Sequence, residues 1–411
     1  MKYLIATDGT WGDILPFSSV AQELQRNGHE VVFLTNGYYE DFITSKGLRF
    51  VQTTTKQNRQ DLLSHKNLWN PYKGLMVLNK ATKILFEASF DPILREARGC
   101  DAIISHSLMY AAKTVAEHLG VQHIGLLFSP IQVRSTISLP TLPGGHNPNG
   151  SRLSQYFFYK FADNVLFDPF VSGPVNKKRK ELGLKKASGL IQWGASDTVN
   201  VGLWPEWYKK TEADQSSLTT VGFPKSIEFV HDEDDAIMEW VHNGTPPIIA
   251  TLGSGNMFAG KLLEKIRAIT AMSDERFMFI QPGSDSATVF DPQLVITGKL
   301  KLSSVLPLSK LFIHHGGAGS VAQAVVTGTP QIIMPLSHDQ PDNAGHIIRN
   351  KLGTAVWNKN ISPEKLLEVL TDVTNSSEIL QSCKTAKERI AQDEDGVVMA
   401  ARVIAEKTRK I

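Results

Sequence analysis

The stretch FIHHGGAGSVAQAVVTGTP, Phe312 to Pro330, places two histidines and three closely spaced glycines where a strand pattern gives way to a helix pattern. Gly316, Gly317 and Gly319 let backbone approach a bulky ligand. The unpaired N–H groups of a first helical turn and the positive end of its dipole favour an anion, and Ser320 adds a hydroxyl donor. His314 and His315 can donate to phosphate oxygens, or can simply end the strand while the glycines serve the turn. The following segment, PLSHDQPDNAGHI (Pro335 to Ile347), contributes Asp339 and Gln340. An acceptor-only carboxylate beside a two-way amide suits the vicinal hydroxyls of a sugar. Asp339 is equally placed to N-cap the next helix. Diphosphate next to sugar is the chemistry of a nucleotide-sugar. No Walker-type G-x-x-x-x-G-K-[ST] occurs, and DGTWGD stands where a dinucleotide fingerprint would follow the first strand, so nicotinamide and flavin are not expected.

These segments need a scaffold. At 411 residues the chain exceeds one ordinary core, which predicts two domains. Short β-branched runs alternate with amphipathic stretches from Tyr3–Thr7 onward, with Gly28 at a helix C-cap position, as in a parallel sheet with helical crossovers. After Val221-Gly222-Phe223-Pro224 an acidic stretch containing HDEDD (His231 to Asp235) leads to Pro246-Pro247, and the alternation restarts at Ile248. The expected organisation is therefore two Rossmann-like α/β domains facing across a cleft. Residues 1–223 form the first domain, 224–245 a linker and 246–394 the second, while 395–411 form a helix that returns to the first. Both PLSHDQ and TDGTWGDILPF (Thr7 to Phe17) then fall at carboxyl edges of sheets. The second of these carries Asp8 and Asp13.

Composition narrows the class. With 43 basic and 41 acidic side chains the formal charge is +2, which gives none of the field of a nucleic-acid binder. Cys100 and Cys383 stand alone, without a disulfide framework or zinc spacing, which fits a reducing cytoplasm. No signal-peptide core and no membrane-spanning apolar run are seen.

HHGGAGSVAQAVVTGTPQIIMPLSHDQPDNA resembles the donor-binding signature of glycosyltransferase family 1, the inverting enzymes of GT-B fold. Its bacterial branch, that of the rhamnolipid rhamnosyltransferase catalytic subunit, is the most similar in pattern, with antibiotic and sterol glycosyltransferases as broader relatives. TDGTWGDILPF, GFP before the linker and TLGSG (Thr251 to Gly255) extend the likeness. The resemblance implies that His315 binds the diphosphate and that His314 lies in the strand. It assigns backbone at Gly317, Gly319, Ser320 and Val321 to the phosphates, Ser254 to the diphosphate or sugar, and Asp339 and Gln340 to the sugar hydroxyls. Gln323 stands where many relatives have a ribose-binding glutamate, which leans toward a deoxythymidine donor. Asp13 takes the place of the general base, with Asp8 as competitor and helix capping as its plain role.

No metal or other cofactor is expected. The Asp232–Asp235 cluster reads as a solvated run or helix cap. The acceptor should lie against the first domain, near Trp11, Phe128, Phe158 and Phe161. The aromatic segment 154–170 is either an acceptor wall or core, and its aromatics favour an apolar, lipid-like acceptor. The basic run NKKRKELGLKK (Asn176 to Lys186) could draw the protein to an anionic membrane surface, or could be a solvated turn. Two other functions share the site features: a nucleotide-sugar 2-epimerase of the same fold, and a non-catalytic nucleotide-sugar-binding protein.

Overall fold

The structure, a computed structural model, describes residues 1–70, 73–146, 151–225, 235–253, 259–281, 288–298 and 300–408. The chain divides into two units. The first comprises residues 1–140, 147–224 and 395–411, and the second 141–146 and 225–394.

The first unit is built on seven parallel strands: β1 (Lys2–Ala6), β2 (Glu30–Thr35), β3 (Arg49–Gln52), β4 (Ala102–Ser105), β5 (Gln122–Leu127), β6 (Val199–Gly202) and β7 (Leu218–Thr220). Their order is β3-β2-β1-β4-β5-β6-β7, so the winding reverses between β1 and β4. The central strands are apolar on both faces because helices cover both. Helix α1 (Trp11–Arg26) buries Ile14, Phe17, Val20, Ala21 and Leu24 against one face and ends before Gly28, whose φ is 82°. The C-terminal helix Gly396–Lys407 packs on this same face through Val397, Ala400, Ala401 and Ile404. Long helix α2 (Gly74–Glu96) covers the other face through Phe86, Phe90 and Ile93.

The aromatic segment runs through helix α3 (Arg152–Phe161), a π-helical stretch Ala162–Phe167 and helix α4 (Asp168–Glu181). It is not core. Leu153, Phe157 and Phe161 are 65%, 61% and 59% exposed, and Gln155 is the only buried side chain of α3.

The second unit carries β8 (Ile248–Thr251), β9 (Phe277–Ile280), β10 (Val289–Phe290), β11 (Leu294–Thr297), β12 (Leu311–His314), β13 (Gln331–Ile333) and β14 (Gly353–Ala355) in the order β10-β11-β9-β8-β12-β13-β14. Only β10, at the edge, is antiparallel among the described pairs. Winding reverses between β8 and β12. Helices α5 (Ala318–Thr327) and α6 (Gln340–Arg349) follow β12 and β13. Two details depart from the sequence-based expectation. Residues 235–242 form a helix whose Ile237 and Val241 are buried in the second unit's core, so that part of the expected linker is packed structure; 226–234 lie outside the described residues. Thr141–His146 belongs with the second unit, where the Thr141 N–H donates to Asp342 Oδ1 at 2.9 Å and Gly145 lies against the Trp357 ring. Turn chemistry alone could not show that anchorage.

Candidate active site

In open parallel sheets, ligands bind at the carboxyl ends of strands where the winding reverses. Both reversal points carry the singled-out loops: β1 leads into Thr7–Thr10 in the first unit, and β8 and β12 lead into Leu252-Gly253 and His315–Gly317 in the second.

His314 is fully buried and structural. Its Nε2 donates to Gln331 Oε1 at 2.9 Å, its Nδ1 accepts the Gly316 N–H at 3.1 Å, and its ring stacks on Phe312. Burial pulls its pKa down to about 3, so it stays neutral and holds the turn shape. Gly316 follows at φ 91°, and its carbonyl accepts from Asn343 Nδ2 at 2.8 Å.

His315 leaves the strand and lies against two glycines. A Cβ on Gly253, whose φ is 79°, would sit 2.7 Å from its Cε1, and a Cβ on Gly317 would sit 2.6 Å from its Nε2. Only bare backbone at both positions admits the ring. Its Nδ1 is shielded and has no hydrogen-bond partner among the described residues, and burial lowers its pKa to about 4. Beside it, Gly317 is the N-cap of α5. The Val321 N–H already donates to the Gly317 carbonyl at 3.0 Å, so Val321 is not the donor expected of it. The N–H groups left at the helix start are those of Ala318, Gly319 and Ser320, one residue earlier.

Asp339 occupies the N-cap position of α6 without capping it. Its Oδ2 instead accepts from Asn343 Nδ2 at 2.9 Å, the same amide that holds the Gly316 carbonyl. Asn343 therefore ties the glycine turn to the carboxylate, a role without a local sequence signal because it depends on two loops meeting. Gln340 is buried, and its Oε1 accepts the Leu336 and Ser337 N–H groups at 2.8 and 3.2 Å. Its carbonyl shapes the loop, which leaves the amide nitrogen as the part suited to a ligand. Gln323 is half-buried on α5. Ser254 lies outside the described residues.

In the first unit, Asp13 Oδ2 accepts the Thr10 N–H at 2.7 Å and the Thr10 hydroxyl at 3.1 Å, closing a capping box on α1. Gly9, at φ 138°, passes so close that a Cβ there would strike Asp13. Burial pushes the Asp13 pKa up to about 6, against the pull of the Thr10 hydrogen bonds and with help from the Asp8 charge. Asp8 is more fully engaged: Oδ1 accepts the Gly9 N–H at 2.7 Å, and Oδ2 accepts the Thr54 hydroxyl. Burial raises its pKa too. His106, which follows β4, stands outside every motif read from the sequence. It lies near the Asp8 backbone, its Nδ1 accepts the Leu108 N–H at 3.0 Å, and burial lowers its pKa to about 4. Its position after the reversal strand is the signal that could have found it. Trp11 packs edge-on against Tyr39 and Phe42, with ring centroids 4.8 and 5.0 Å apart, and Phe128 is half-buried against the same core. Phe158 and Phe161 point outward. Among the described residues no group of three or more His, Cys, Asp or Glu could hold a metal, and no helix is long and apolar enough to cross a membrane.

Two doubly wound parallel sheets with loops of this kind at their reversal points form the GT-B fold, the fold of solved glycosyltransferase structures. More particularly, residues 3–134 match the glycosyltransferase family 28 N-terminal domain and 268–404 match the erythromycin biosynthesis protein CIII-like C-terminal domain. Over its whole length it is 26% identical to an uncharacterized glycosyltransferase of Mycobacterium tuberculosis, with 100% of both chains covered. It is 25% identical to glycosyltransferase GtfE of Amycolatopsis orientalis over 90% of each chain. The crystal structure of glycosyltransferase VinC in complex with dTDP superposes with a TM-score of 0.72 at 16% identity, covering 99% of this chain and 100% of that one. These matches carry the antibiotic-type class rather than the narrower rhamnolipid branch.

Proposed function

We propose that the protein is an inverting, metal-independent glycosyltransferase that moves a hexose or deoxyhexose from a dTDP- or UDP-sugar to a hydroxyl of an apolar, lipid-like acceptor. The observation that carries this reading is the His315 ring, whose Cε1–Nε2 edge lies against the bare backbone of Gly253 and Gly317 beside the free N–H groups of Ala318–Ser320. Uncharged imidazole and helix-start donors together suit a diphosphate. Asp339, oriented by Asn343, faces the sugar hydroxyls in this reading, with the Gln340 amide nitrogen beside it. Gln323 in place of an acidic ribose ligand favours dTDP, the nucleotide named for the VinC complex.

The mechanism is one displacement with inversion. The acceptor oxygen attacks the anomeric carbon, and its proton passes to Asp13. The bond from that carbon to the diphosphate oxygen breaks, and its electron pair leaves with the diphosphate. Asp13 is preferred over Asp8 because both Asp8 oxygens hold local hydrogen bonds, whereas the Thr10 bonds engage Asp13 through Oδ2. We assign the proton to Asp13 Oδ1. A pKa of about 6 leaves the carboxylate ionised at neutral pH yet a stronger base than an exposed aspartate. His315 and the N–H groups of α5 stabilise charge on the leaving diphosphate, a role worth on the order of 10²–10³ in rate per donor. No resident metal or cofactor is invoked, and the acting site is assigned to the cytoplasmic compartment.

Thermal-shift screening against UDP- and dTDP-sugars tests the donor site and reads the base in one experiment. Stabilisation by dTDP-sugars above UDP-sugars is expected, and no shift with either would sink the reading. Detection of a glycosylated acceptor rather than an epimerised or merely bound nucleotide-sugar separates transfer from the epimerase and binding-protein alternatives.

A further inference from the structure

The exposed segment α3–α4 has no role in the donor site and presents two rows of large apolar side chains to water. Leu153, Phe157, Phe161 and Val165 recur every four residues and are 65%, 61%, 59% and 49% exposed. Phe158, Leu166 and Phe170 form a second outward row at 37%, 42% and 47%. These side chains project from helices. The segment is fixed to the unit by Asn79 of α2, which donates to the Leu166 carbonyl at 3.2 Å, and by Val171 and Val175 in the core.

Charge along the segment is one-sided. Between Ser151 and Lys180 the only acids are Asp163 and Asp168. Asp163 pairs with Arg134 at 2.7 Å, and Asp168 accepts the Gly189 and Leu190 N–H groups at 2.7 and 2.9 Å. Both are spent inward. Arg152, Lys160, Lys177 and Lys180 are exposed and make no ion pair among the described residues, while Lys178 pairs with Glu181 and Arg179 is buried against Glu117. The basic run is thus partly structural, and its free cations border the aromatic rows.

We infer that this face of α3, the π-helical stretch and the start of α4 docks in the headgroup region of an anionic lipid bilayer, with the apolar rows entering the acyl boundary and the cations meeting lipid phosphates. Amphipathic helices with aromatic faces and Lys or Arg borders bind in this way. A second copy fits less well, because an isologous pairing would bring the Arg152 and Lys160 cations of one copy against those of the other. The inference stands apart from the donor assignment.

Co-sedimentation of the full chain with phosphatidylcholine vesicles, with and without phosphatidylglycerol, tests it. Binding should require phosphatidylglycerol and weaken as salt rises. Phe157→Ser with Phe161→Ser should lower partitioning by at least roughly tenfold, and Lys160→Ala by about fivefold. Thermal melting and the nucleotide-induced shift should not change in either variant, since these side chains are exposed and lie in the first unit. Absent binding, equal binding to neutral vesicles, or undiminished binding by the double variant would each overturn the proposal. So would a concentration-dependent dimer that the double variant abolishes, because the face would then be covered by a second copy.

Discussion

Gly317→Ala tests whether the His315 ring must occupy its observed place. Gly317 has φ −62° and ψ 142°, an ordinary extended conformation, so alanine adds no backbone strain there. The new methyl carbon would lie 2.6 Å from His315 Nε2 and 3.2 Å from Cε1. A relaxed contact needs about 3.4 Å or more, so the ring must retreat by about 0.8 Å. Gly253 also lies close to the Cε1–Nε2 edge of the ring, so the retreat turns that edge away from the helix start. A hydrogen bond to a charged group contributes about 1.5–3 kcal/mol, so its loss predicts a roughly 10- to 150-fold weaker nucleotide complex. Calorimetric titration with dTDP and UDP on both proteins reads this directly. Alanine at an N-cap costs up to about 1 kcal/mol relative to glycine, a shift of a few degrees in Tm, so the variant should remain folded. A folded Gly317→Ala protein with wild-type nucleotide affinity refutes the assignment of His315 to the diphosphate.

Asp13→Asn should lower kcat by about 10²–10⁴ with donor affinity nearly intact, and melting should barely move because asparagine can still accept from Thr10. In the wild type, kcat/KM should rise with pH through about 6 as Asp13 ionises; the same acid limb in Asp13→Asn would assign it to another group. Nucleotide binding should tighten as pH falls from 7 toward 5, because a bound diphosphate raises the depressed His315 pKa and draws a proton onto the ring; in His315→Gln that pH dependence should vanish. Acid should also unfold the protein early. His106, His123, His314 and His315 have folded pKa values of about 3 to 4 against 6.5 unfolded, so the stability they confer is present above pH 6.5 and is lost as pH falls toward 4. Asp13, raised to about 6, and Asp8, also raised by burial, work in the opposite sense but are two groups against four. A melting temperature that stays constant between pH 7 and 5 would contradict this.

Periodicity and turn chemistry determined much of this protein. Short β-branched runs bounded by turn residues favour strands covered on both faces, Gly28 favours a helix end, and a glycine-rich turn between a strand and a helix leaves N–H groups unpaired at the helix start. The doubly wound fold and the helix start with open N–H groups were therefore legible residue by residue. Tertiary structure decided the rest, because it depends on which distant loops meet. That Gly253 and Gly317 border one imidazole follows from β8 and β12 being neighbours, and that Asn343 joins the glycine turn to Asp339 follows from adjacent crossovers. The Val321 N–H is used inside the helix because the helix begins at Ala318, capped by Gly317. Burial, equally non-local, gave Asp13 its raised pKa and turned the aromatics of α3 outward, since hydrophobic spacing defines a face without saying what that face meets.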